Sequence, residues 1–501
     1  MATPEFDLER DRRAIYAAAE RRDNRLDGRL FVGVRTTGIY CRSICTAQMP
    51  KFGNCTFYAH PASAEKAGLR PCLVCRPELA PGDAKVDSVS KLVRLVLRRI
   101  EDGALNGCSV ADLAAEFGVD ARDICRATTH ALGVTPTELA QTQRLLQAKQ
   151  LLTETDLSIA EVALAAGFGS ARSLSSLFKT RYRLNPSSLR RIKSVSTNLL
   201  DTYDYGKAMS FRIDYRPPFN WDALLMFLGE RAIPGVEAVH DGAYLRTVQV
   251  AKHVGWIAVT PYLGAKRSRP VNALRVLMSS SLQPVCLQVL SRVKTVFDTR
   301  ANAAEIDRHL AQDSLLAPSI DAYFGMRLPG AFEGFELLLR AILGQQVSVK
   351  GATTLAGRMV QAFGDPMTTP WPVLTHLSPE AGRIARADIG QIACIGMPGK
   401  RAEAIRLVAQ AAHSGELNLV PGADPDVVRE QLLDFPGIGE WTASYVAMRV
   451  LAWSDAFPLG DLGIKKALGM TRASDITART DAWRPWRAYA AIYLWLSLSG
   501  G

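Results

Sequence analysis

The chain has 501 residues, of which 48% are hydrophobic and 22% are charged; this composition disfavours an intrinsically disordered protein, and the length predicts roughly three domains. No run of 18 apolar residues occurs and residues 1–13 are charged, so we expect no transmembrane helix, no secretory signal and a cytoplasmic location. The 60 Lys and Arg residues outnumber the 49 Asp and Glu residues and give a net charge of +11, which favours an anionic partner such as nucleic acid or a membrane surface.

Cysteine and tryptophan are distributed unevenly along the chain. Seven of the nine cysteines fall in the first 193 residues, whereas all eight tryptophans lie at or beyond Trp221. We therefore expect the two parts of the chain to have separate origins. An odd number of cysteines in a cytoplasmic chain favours metal or thiol chemistry over a framework of disulfides.

Two close pairs of cysteines predict one metal site. Cys41 and Cys45 form a C-x3-C pair, and after 26 intervening residues Cys72 and Cys75 form a C-x2-C pair. Four thiolates satisfy the tetrahedral, soft-ligand preference of Zn²⁺, so we expect one zinc ion. The spacing is compatible with a purely structural site, and also with a reactive one, because a four-thiolate site keeps electron density on sulfur. Cys55 has no close partner and is interpreted as a small core residue.

The segments VRTTGIYCRSIC (34–45) and AGLRPCLVCRPE (67–78) resemble the N-terminal zinc domain of the Ada family. The resemblance implies that Cys41, the first of the four cysteines, irreversibly takes a methyl group from a methylated DNA phosphate. Loss of one negative charge on methylation would reduce the repulsion between this domain and DNA phosphates.

The same resemblance implies two contacts to DNA, at Thr37 and Arg70. The family also has basic residues just after the second cysteine. This chain has Thr46 and Gln48 at those positions, so its groups for binding phosphate differ from the family pattern.

Residues 88–193 contain a helix-turn-helix pattern twice, with an offset of 49 to 50 residues. In each copy, apolar residues recur with the spacing of one helix face, and Gly118 or Gly167 follows. A second amphipathic segment comes next, with Asp120 or Ser170 as its candidate N-cap. The pattern predicts two helix-turn-helix units, and a generic helical bundle is the alternative.

Nine basic residues stand against three acidic ones between Ala140 and Lys193, which favours a surface that binds phosphate. Residues 158–191 resemble the second half of the DNA-binding domain of AraC-type transcription regulators. The resemblance implies that Ala121–Ala131 and Ala171–Tyr182 are recognition helices that enter successive major grooves. The candidate base contacts are Arg172 and Ser173.

Residues 194–207 have no amphipathic period and predict a linker. Beyond it, short strand-like runs predict a small antiparallel α+β unit over residues 208–288, and helical periodicity dominates residues 289–501. The strand-like runs are Phe211–Tyr215, Tyr244–Val250, Gly255–Thr260 and Ala273–Met278.

The segment FPGIGEWTASYVAMRV (435–450) predicts a helix-hairpin-helix. Gly437 and Gly439 allow a tight turn whose backbone N–H groups approach a phosphate, although a simple glycine-rich connection between helices has the same pattern. Asp461 follows 22 residues after Gly439, close to two lysines. An acidic residue in a basic, DNA-facing region indicates a functional role, whereas a single Asp is most often a helix cap.

Residues 211–495 resemble the helix-hairpin-helix DNA glycosylases, most closely the 3-methyladenine glycosylase II type, AlkA. The stretches that support this are FEGFELLLRAILGQQVSVKGA (332–352), IGMPGKRAEAI (395–405) and PWRAYAAIYLW (485–495). The resemblance implies that Asp461 is the catalytic carboxylate. It would stabilise the oxocarbenium-like sugar and orient or deprotonate water after the damaged base has been flipped out.

The resemblance also implies an aromatic pocket for a cationic base, formed by Phe227, Trp441, Tyr445 and Trp495; each of these could instead be an ordinary core residue. Trp441 stands where bifunctional relatives carry a Schiff-base lysine, so we expect base release without strand cleavage. Gln346 occupies the place of an apolar residue that fills the gap left by the flipped base.

The sequence thus predicts a multidomain, mainly α protein with α+β parts: a small four-cysteine zinc domain (1–87), an all-α double helix-turn-helix domain (88–193), a linker (194–207), a small antiparallel α+β subdomain (208–288) and an all-α helix-hairpin-helix glycosylase domain (289–501). We expect a transcriptional activator that is also a monofunctional 3-methyladenine glycosylase and a stoichiometric methylphosphotriester-DNA cysteine methyltransferase. The expected partners are double-stranded DNA, both alkylated and promoter DNA, and RNA polymerase, with no membrane. The alternatives are a regulator with structural zinc and an inactive glycosylase-like domain, and a constitutive enzyme whose zinc is structural.

Overall fold

The protein is described from a computed structural model that covers residues 8, 10–82, 91–190, 208–263, 271–420 and 422–499. The predicted linker 194–207 and the predicted boundary between residues 87 and 88 lie outside the described residues. None of the helices in the described ranges combines the length and the apolar character needed to span a bilayer.

The N-terminal part is a small α+β unit. Its elements are α1 (Arg12–Glu20), β1 (Phe31–Val34), β2 (Ile39–Arg42), β3 (Cys55–Tyr58), α2 (Pro61–Lys66) and β4 (Arg70–Pro71). In the described part of the chain these strands form a four-stranded sheet in the order β3-β1-β2-β4, in which β4 is parallel to β2. Cys55 is completely buried in the core of this unit, as its interpretation as a core residue requires.

An all-α part follows. Its helices are α3 (Lys91–Glu101), α4 (Val110–Glu116), α5 (Ala121–Leu132), α6 (Pro136–Glu154), α7 (Ile159–Ala165) and α8 (Ala171–Tyr182). The pairs α4/α5 and α7/α8 are the two predicted helix-turn-helix units, and α6 separates them. Gly118 and Gly167 adopt φ angles of +63° and +79° in the two turns, a backbone conformation that glycine accepts without strain. Ser170 caps α8 with its side chain as predicted, whereas Asp120 precedes α5 without a capping hydrogen bond from its side chain.

The C-terminal half begins with a twisted antiparallel sheet. Its elements are β5 (Met209–Asp214), α9 (Trp221–Glu230), β6 (Glu237–His240), β7 (Ala243–Val250), β8 (His253–Pro261) and β9 (Ala273–Met278). A strand is present at each of the four predicted runs, and β6 is an edge strand that we did not predict. Within the described residues the strand order is β5-β9-β8-β7-β6.

The rest of the chain is helical. The helices are α10 (Cys286–Val296), α11 (Ala303–Leu310), α12 (Ala317–Ala322), α13 (Gly334–Leu343), α14 (Val349–Phe363), α15 (Ala381–Arg386), α16 (Ile389–Ala393), α17 (Gly399–Ser414), α18 (Pro425–Leu433), α19 (Glu440–Arg449), α20 (Leu462–Leu468), α21 (Ala473–Thr480) and α22 (Arg487–Ser499). The central helix α13 packs against α14, α17 and α19, and α20 packs against α22. The predicted boundary between residues 288 and 289 falls within α10 and stays a prediction.

Buried polar groups join the N-terminal unit to the C-terminal half. The Arg42 guanidinium forms ion pairs with Asp27 and, at 2.8 Å, with Asp214 of β5. The Arg216 side chain, 1% exposed, donates to the backbone oxygens of Asp27 and Gly82. Because buried charges require partners, these pairs fix the two parts against each other.

Candidate functional site

The four predicted zinc ligands lie together at one end of the small N-terminal sheet. Cys41 is in β2, and Cys72 directly follows β4, so the parallel pairing of these strands brings the two cysteine pairs side by side. The sulfur atoms of Cys41, Cys45, Cys72 and Cys75 all lie within 4.8 Å of one another. This donor set fits one tetrahedral Zn²⁺.

Two backbone N–H groups donate to sulfur atoms of the cluster, and such bonds favour the thiolate form of the sulfur that accepts them. The backbone N–H of Arg42 donates to Cys75 Sγ at 3.3 Å, and that of Val74 donates to Cys72 Sγ at 3.4 Å. Among the four thiols, the hydrogen bond with Cys41 lowers the pKa of Cys45 to about 7, whereas hydrogen bonds within the cluster raise the pKa of Cys41 and of Cys75, so a bound cation would be needed to keep all four sulfurs deprotonated. Deprotonated sulfur is the form that binds a metal ion and attacks a methyl group.

Both predicted DNA contacts of this unit lie beside the strand that carries Cys41. Thr37 is exposed in the turn between β1 and β2, and Arg70 pairs with Ile39 across the β2–β4 ladder. The backbone N–H of Arg70 donates to the Gly38 oxygen at 2.9 Å, which fixes the strand against this turn. The structure therefore brings Thr37, Arg70 and the partly exposed Cys41 to one edge of the sheet.

The two predicted recognition helices expose the side opposite their buried faces. Ile124 of α5 and Leu174 of α8 are completely buried, whereas Arg172 is exposed. The Ser173 hydroxyl, the other predicted base contact, hydrogen-bonds Ser170 within the capping box of α8. Arg122 of α5 is exposed at the position equivalent to Arg172; the repeat offset of 50 residues was the signal for it, and our sequence analysis missed it.

The predicted hairpin connects α18 to α19 on the surface. Gly437 adopts a φ angle of +82°, and the exposed Gly439 precedes α19 in an extended conformation. The side chain of Gln345 donates to the Gly437 oxygen and to Thr442 Oγ1, both at 3.0 Å. Gln346 is exposed next to it with a φ angle of +58°, so this residue and the hairpin lie on the same surface.

Asp461 is both a helix cap and the centre of a polar site. Its Oδ1 accepts hydrogen bonds from the backbone N–H of Ile464 and from the indole N–H of Trp495, each at 2.9 Å. Its Oδ2 accepts a hydrogen bond from the indole N–H of Trp441, also at 2.9 Å. Three N–H donors, one each from α19, α20 and α22, therefore orient this carboxylate.

The four predicted pocket aromatics form one connected cluster. Trp441 stacks on Tyr445 with ring centroids 5.3 Å apart, and Tyr445 lies 6.2 Å from Trp495. Trp495 is stacked at 6.4 Å from Phe227, which is 1% exposed and therefore belongs to the core behind the other three rings. Two of the four aromatics, Trp441 and Trp495, therefore contact the partly exposed Asp461 carboxylate directly.

Family models match four consecutive parts of the chain. They are described as the metal binding domain of Ada (14–78), a helix-turn-helix domain (113–192), the AlkA N-terminal domain (210–333) and the HhH-GPD superfamily of base excision DNA repair proteins (339–487). The probable bifunctional transcriptional activator/DNA repair enzyme AlkA of Mycobacterium tuberculosis (strain ATCC 25618 / H37Rv) is 34% identical over 493 residues, 96% of either chain. The chain belongs to this family.

The C-terminal half of this bifunctional activator/repair family member is also similar to proteins that are named as 3-methyladenine DNA glycosylases. DNA-3-methyladenine glycosylase 2 of Escherichia coli (strain K12) is 34% identical over 286 residues, which are 57% of this chain and 96% of that relative. A solved 3-methyladenine DNA glycosylase from Archaeoglobus fulgidus covers 58% of this chain and 98% of its own, with a TM-score of 0.50 and 22% identity, and it shares the fold. These matches confirm the predicted family, the fold class and the single zinc site.

Three arginines lie beside the aromatic cluster of this family member and were not predicted from the sequence. Arg449 donates to the Tyr445 hydroxyl at 2.7 Å, and the Arg231 guanidinium lies 3.8 Å from the Phe227 ring centroid. Burial acts to raise the pKa of Tyr445, but Arg449, Arg340 and Arg231 together lower it. The three arginines come from separate parts of the chain, so no local motif indicated them.

Proposed function

We propose that the C-terminal half hydrolyses the N-glycosidic bond of alkylated bases such as 3-methyladenine in double-stranded DNA. The observation that supports this most directly is the Asp461 carboxylate, hydrogen-bonded to two tryptophans inside an aromatic cluster. The relative that matches 57% of the chain is a DNA-3-methyladenine glycosylase, which agrees with this substrate class.

The mechanism follows from the charge of the lesion. Hairpin residues Gly437 and Gly439 bind the DNA backbone, the damaged base is flipped out, and Gln346 enters the gap in the duplex. A base alkylated on a ring nitrogen is cationic, so it stacks favourably on Trp441 and Trp495 and leaves without a general acid. Asp461 stabilises the positive charge that develops on the sugar and orients the attacking water.

Base release is expected to be the end of this reaction. A Schiff base between enzyme and sugar, which leads to strand cleavage, needs a lysine within the pocket. Trp441 occupies the corresponding position and donates its N–H to Asp461 at 2.9 Å. The product is therefore an abasic site in an intact strand.

The decisive experiment compares wild type with Asp461→Asn in the release of free 3-methyladenine from methylated duplex DNA. We expect release to fall by at least about a hundredfold, since removal of a group that stabilises transition-state charge has effects of this size. Asp475→Asn, at an exposed aspartate in α21, is the matched control and should behave as wild type. Equal release by Asp461→Asn and wild type under matched DNA binding would contradict the assignment.

The N-terminal unit is proposed to transfer a methyl group from a DNA methylphosphotriester to Cys41. The sulfur forms a bond to the methyl carbon while the carbon–oxygen bond breaks, which leaves an anionic phosphodiester and a neutral thioether. Zn²⁺ bound by Cys41, Cys45, Cys72 and Cys75 would keep the sulfurs deprotonated at neutral pH. Thr37 and Arg70 are proposed to position the phosphate.

Peptide mass spectrometry after incubation with methylated DNA tests this transfer. We expect the peptide that contains Cys41 to gain the mass of one methyl group. The exposed Cys108, outside the cluster, is an internal control and should stay unmodified. An unmodified Cys41 would leave a structural zinc site as the better description.

The helix-turn-helix part is proposed to bind promoter DNA through α5 and α8 and to activate transcription together with RNA polymerase. Exposed Arg122 and Arg172 lie at equivalent positions of the two recognition helices. This geometry fits contacts to successive major grooves. A regulator that lacks glycosylase activity is the second candidate, and it would activate its promoter while no base is released by the wild type.

A further inference from the structure

A glycine lies beside both the proposed catalytic carboxylate and the indole of Trp495. Gly463 is in the first turn of α20, two residues after Asp461. A Cβ atom at this position would lie 3.1 Å from Asp461 Oδ1 and 3.2 Å from Trp495 Cδ1. Both distances are shorter than ordinary van der Waals contacts, so a side chain here would displace the carboxylate or the indole.

A movement of either group changes the hydrogen bond that joins them. Asp461 Oδ1 accepts from the Trp495 indole and from the backbone N–H of Ile464, both at 2.9 Å. The Trp495 ring lies against Tyr445 and Phe227, with centroids 6.2 and 6.4 Å away. If Asp461 or Trp495 shifts by a few tenths of an ångström, the hydrogen bond from the Trp495 indole N–H to Asp461 Oδ1 changes its length. This hydrogen bond helps to orient the carboxylate.

The backbone does not itself require glycine at this position. Gly463 is helical and is not among the residues with positive φ. Alanine is the better helix former, so it would favour α20. The space beside Asp461 and Trp495 is the reason for glycine that the geometry supports.

We infer that Gly463 is a positioning residue of the glycosylase site. Its missing side chain lets the Trp495 indole contact the Asp461 carboxylate and so fixes the direction in which that carboxylate faces the sugar. This inference rests on the proposed glycosylase function. Gly463 acts through Asp461 and Trp495 and itself contacts neither the base nor the water.

The test is Gly463→Ala in the full chain, with Gly460→Ala as the matched control. Gly460 is exposed one residue before Asp461, and a Cβ atom there would meet only Trp441 Cβ, at an ordinary 3.7 Å. For Gly463→Ala we expect the single-turnover release of 3-methyladenine to fall about tenfold, the effect of weakening one hydrogen bond to a charged group. DNA affinity and the thermal unfolding midpoint should not decrease, and Gly460→Ala should match wild type.

A second variant separates positioning from a general packing effect. In the Trp495→Phe background the indole N–H is absent, so Gly463→Ala should cost clearly less than in the wild type. Wild-type rates for Gly463→Ala, or equal losses in both backgrounds, would overturn the inference while the glycosylase function stands. If the wild type itself releases no base, the proposed function fails and the inference fails with it.

Discussion

Among single residues, Asp461 shows how one side chain serves two purposes. It accepts the hydrogen bond of Ile464 that begins α20, as an N-cap aspartate does, and it also accepts the indole N–H groups of Trp441 and Trp495. The cap fixes the side-chain rotamer, and the indoles fix the two oxygens. The two interpretations that the sequence left open for Asp461 are therefore both compatible with the structure.

The substitution Trp441→Phe separates the two contributions of Trp441 to the site: the stacking of its ring and the hydrogen bond that its indole N–H donates to Asp461. The phenyl ring keeps a face for Tyr445, whose centroid lies 5.3 Å from that of Trp441, but Asp461 Oδ2 loses its donor. We expect kcat for base release to fall about tenfold and KM for methylated DNA to change by less than about twofold. Trp453→Phe, at a partly buried tryptophan outside the cluster, is the control. A change confined to KM would show that Trp441 contributes by stacking alone.

Between secondary-structure elements, one buried carboxyl group connects the zinc-binding sheet to the second recognition helix. Glu65 of α2 accepts hydrogen bonds from Tyr40 of β2 at 3.0 Å, from Tyr182 at the end of α8 at 2.8 Å, and from Thr142 of α6 at 3.0 Å. Tyr40 directly precedes Cys41 in β2. Sheet and recognition helix thus share one buried polar group.

Glu65 predicts a pH-dependent stability of the N-terminal half. Burial raises its pKa to about 7 from the usual 4.5, although the hydrogen bonds from Tyr182, Tyr40 and Thr142 oppose this shift. The folded state therefore binds the proton more tightly, and the stabilisation present below pH 4.5 is lost as the pH rises through about 7. A shift of this size corresponds to about 3 kcal/mol.

Thermal unfolding of wild type and Glu65→Gln from about pH 4.5 to about pH 8 measures this effect. The neutral glutamine keeps polar contacts to the two tyrosines and cannot ionise, so the unfolding midpoint of this variant should vary less with pH than that of wild type. Glu116→Gln, at an exposed glutamate of α4 that pairs with Arg99, provides the control. The same pH dependence in Glu65→Gln as in wild type would exclude Glu65 as its source.

Across the whole protein, a single arginine links the zinc site to the glycosylase half. The backbone N–H of Arg42 donates to Cys75 Sγ at 3.3 Å, and its guanidinium pairs with Asp27 and with Asp214 of the edge strand β5. Arg42 and Asp214 are 3% and 5% exposed. Removal of one partner from such a buried set leaves an uncompensated charge, which is more costly than the loss of a surface ion pair.

Asp214→Asn is expected to loosen the contact between the two halves. Arg42 keeps its ion pair with Asp27, but Arg42 and Arg212 both lose the Asp214 charge, and we expect a destabilisation of about 2 kcal/mol at this contact. Hydrogen–deuterium exchange should rise in β5 and in the segment around Cys75, while α19 and α20 keep wild-type protection. Asp241→Asn, exposed at the opposite edge of the same sheet, is the control. Unchanged exchange in both segments would refute this role of Asp214.

Features that depend on neighbours along the chain could be predicted from the sequence alone. The paired cysteine spacings, the repeated helix faces and the glycine hairpin are local patterns, so they indicated the zinc site, the helix-turn-helix units and the helix-hairpin-helix. Family resemblance added Asp461 and the four pocket aromatics, which the structure places in one cluster. Strand β6 has weak local signals and was missed.

Which distant side chains meet depends on the tertiary fold. The tryptophans that donate to Asp461 are 20 and 34 residues away from it, and Arg42 and Asp214 are separated by 172 residues. Such contacts depend on how helices and sheets pack, because packing selects neighbours by shape and by the need to pair buried charges. The space beside Gly463 is likewise defined by the packing of α20 against α22. The residues next to Gly463 in the sequence do not indicate which helix packs there.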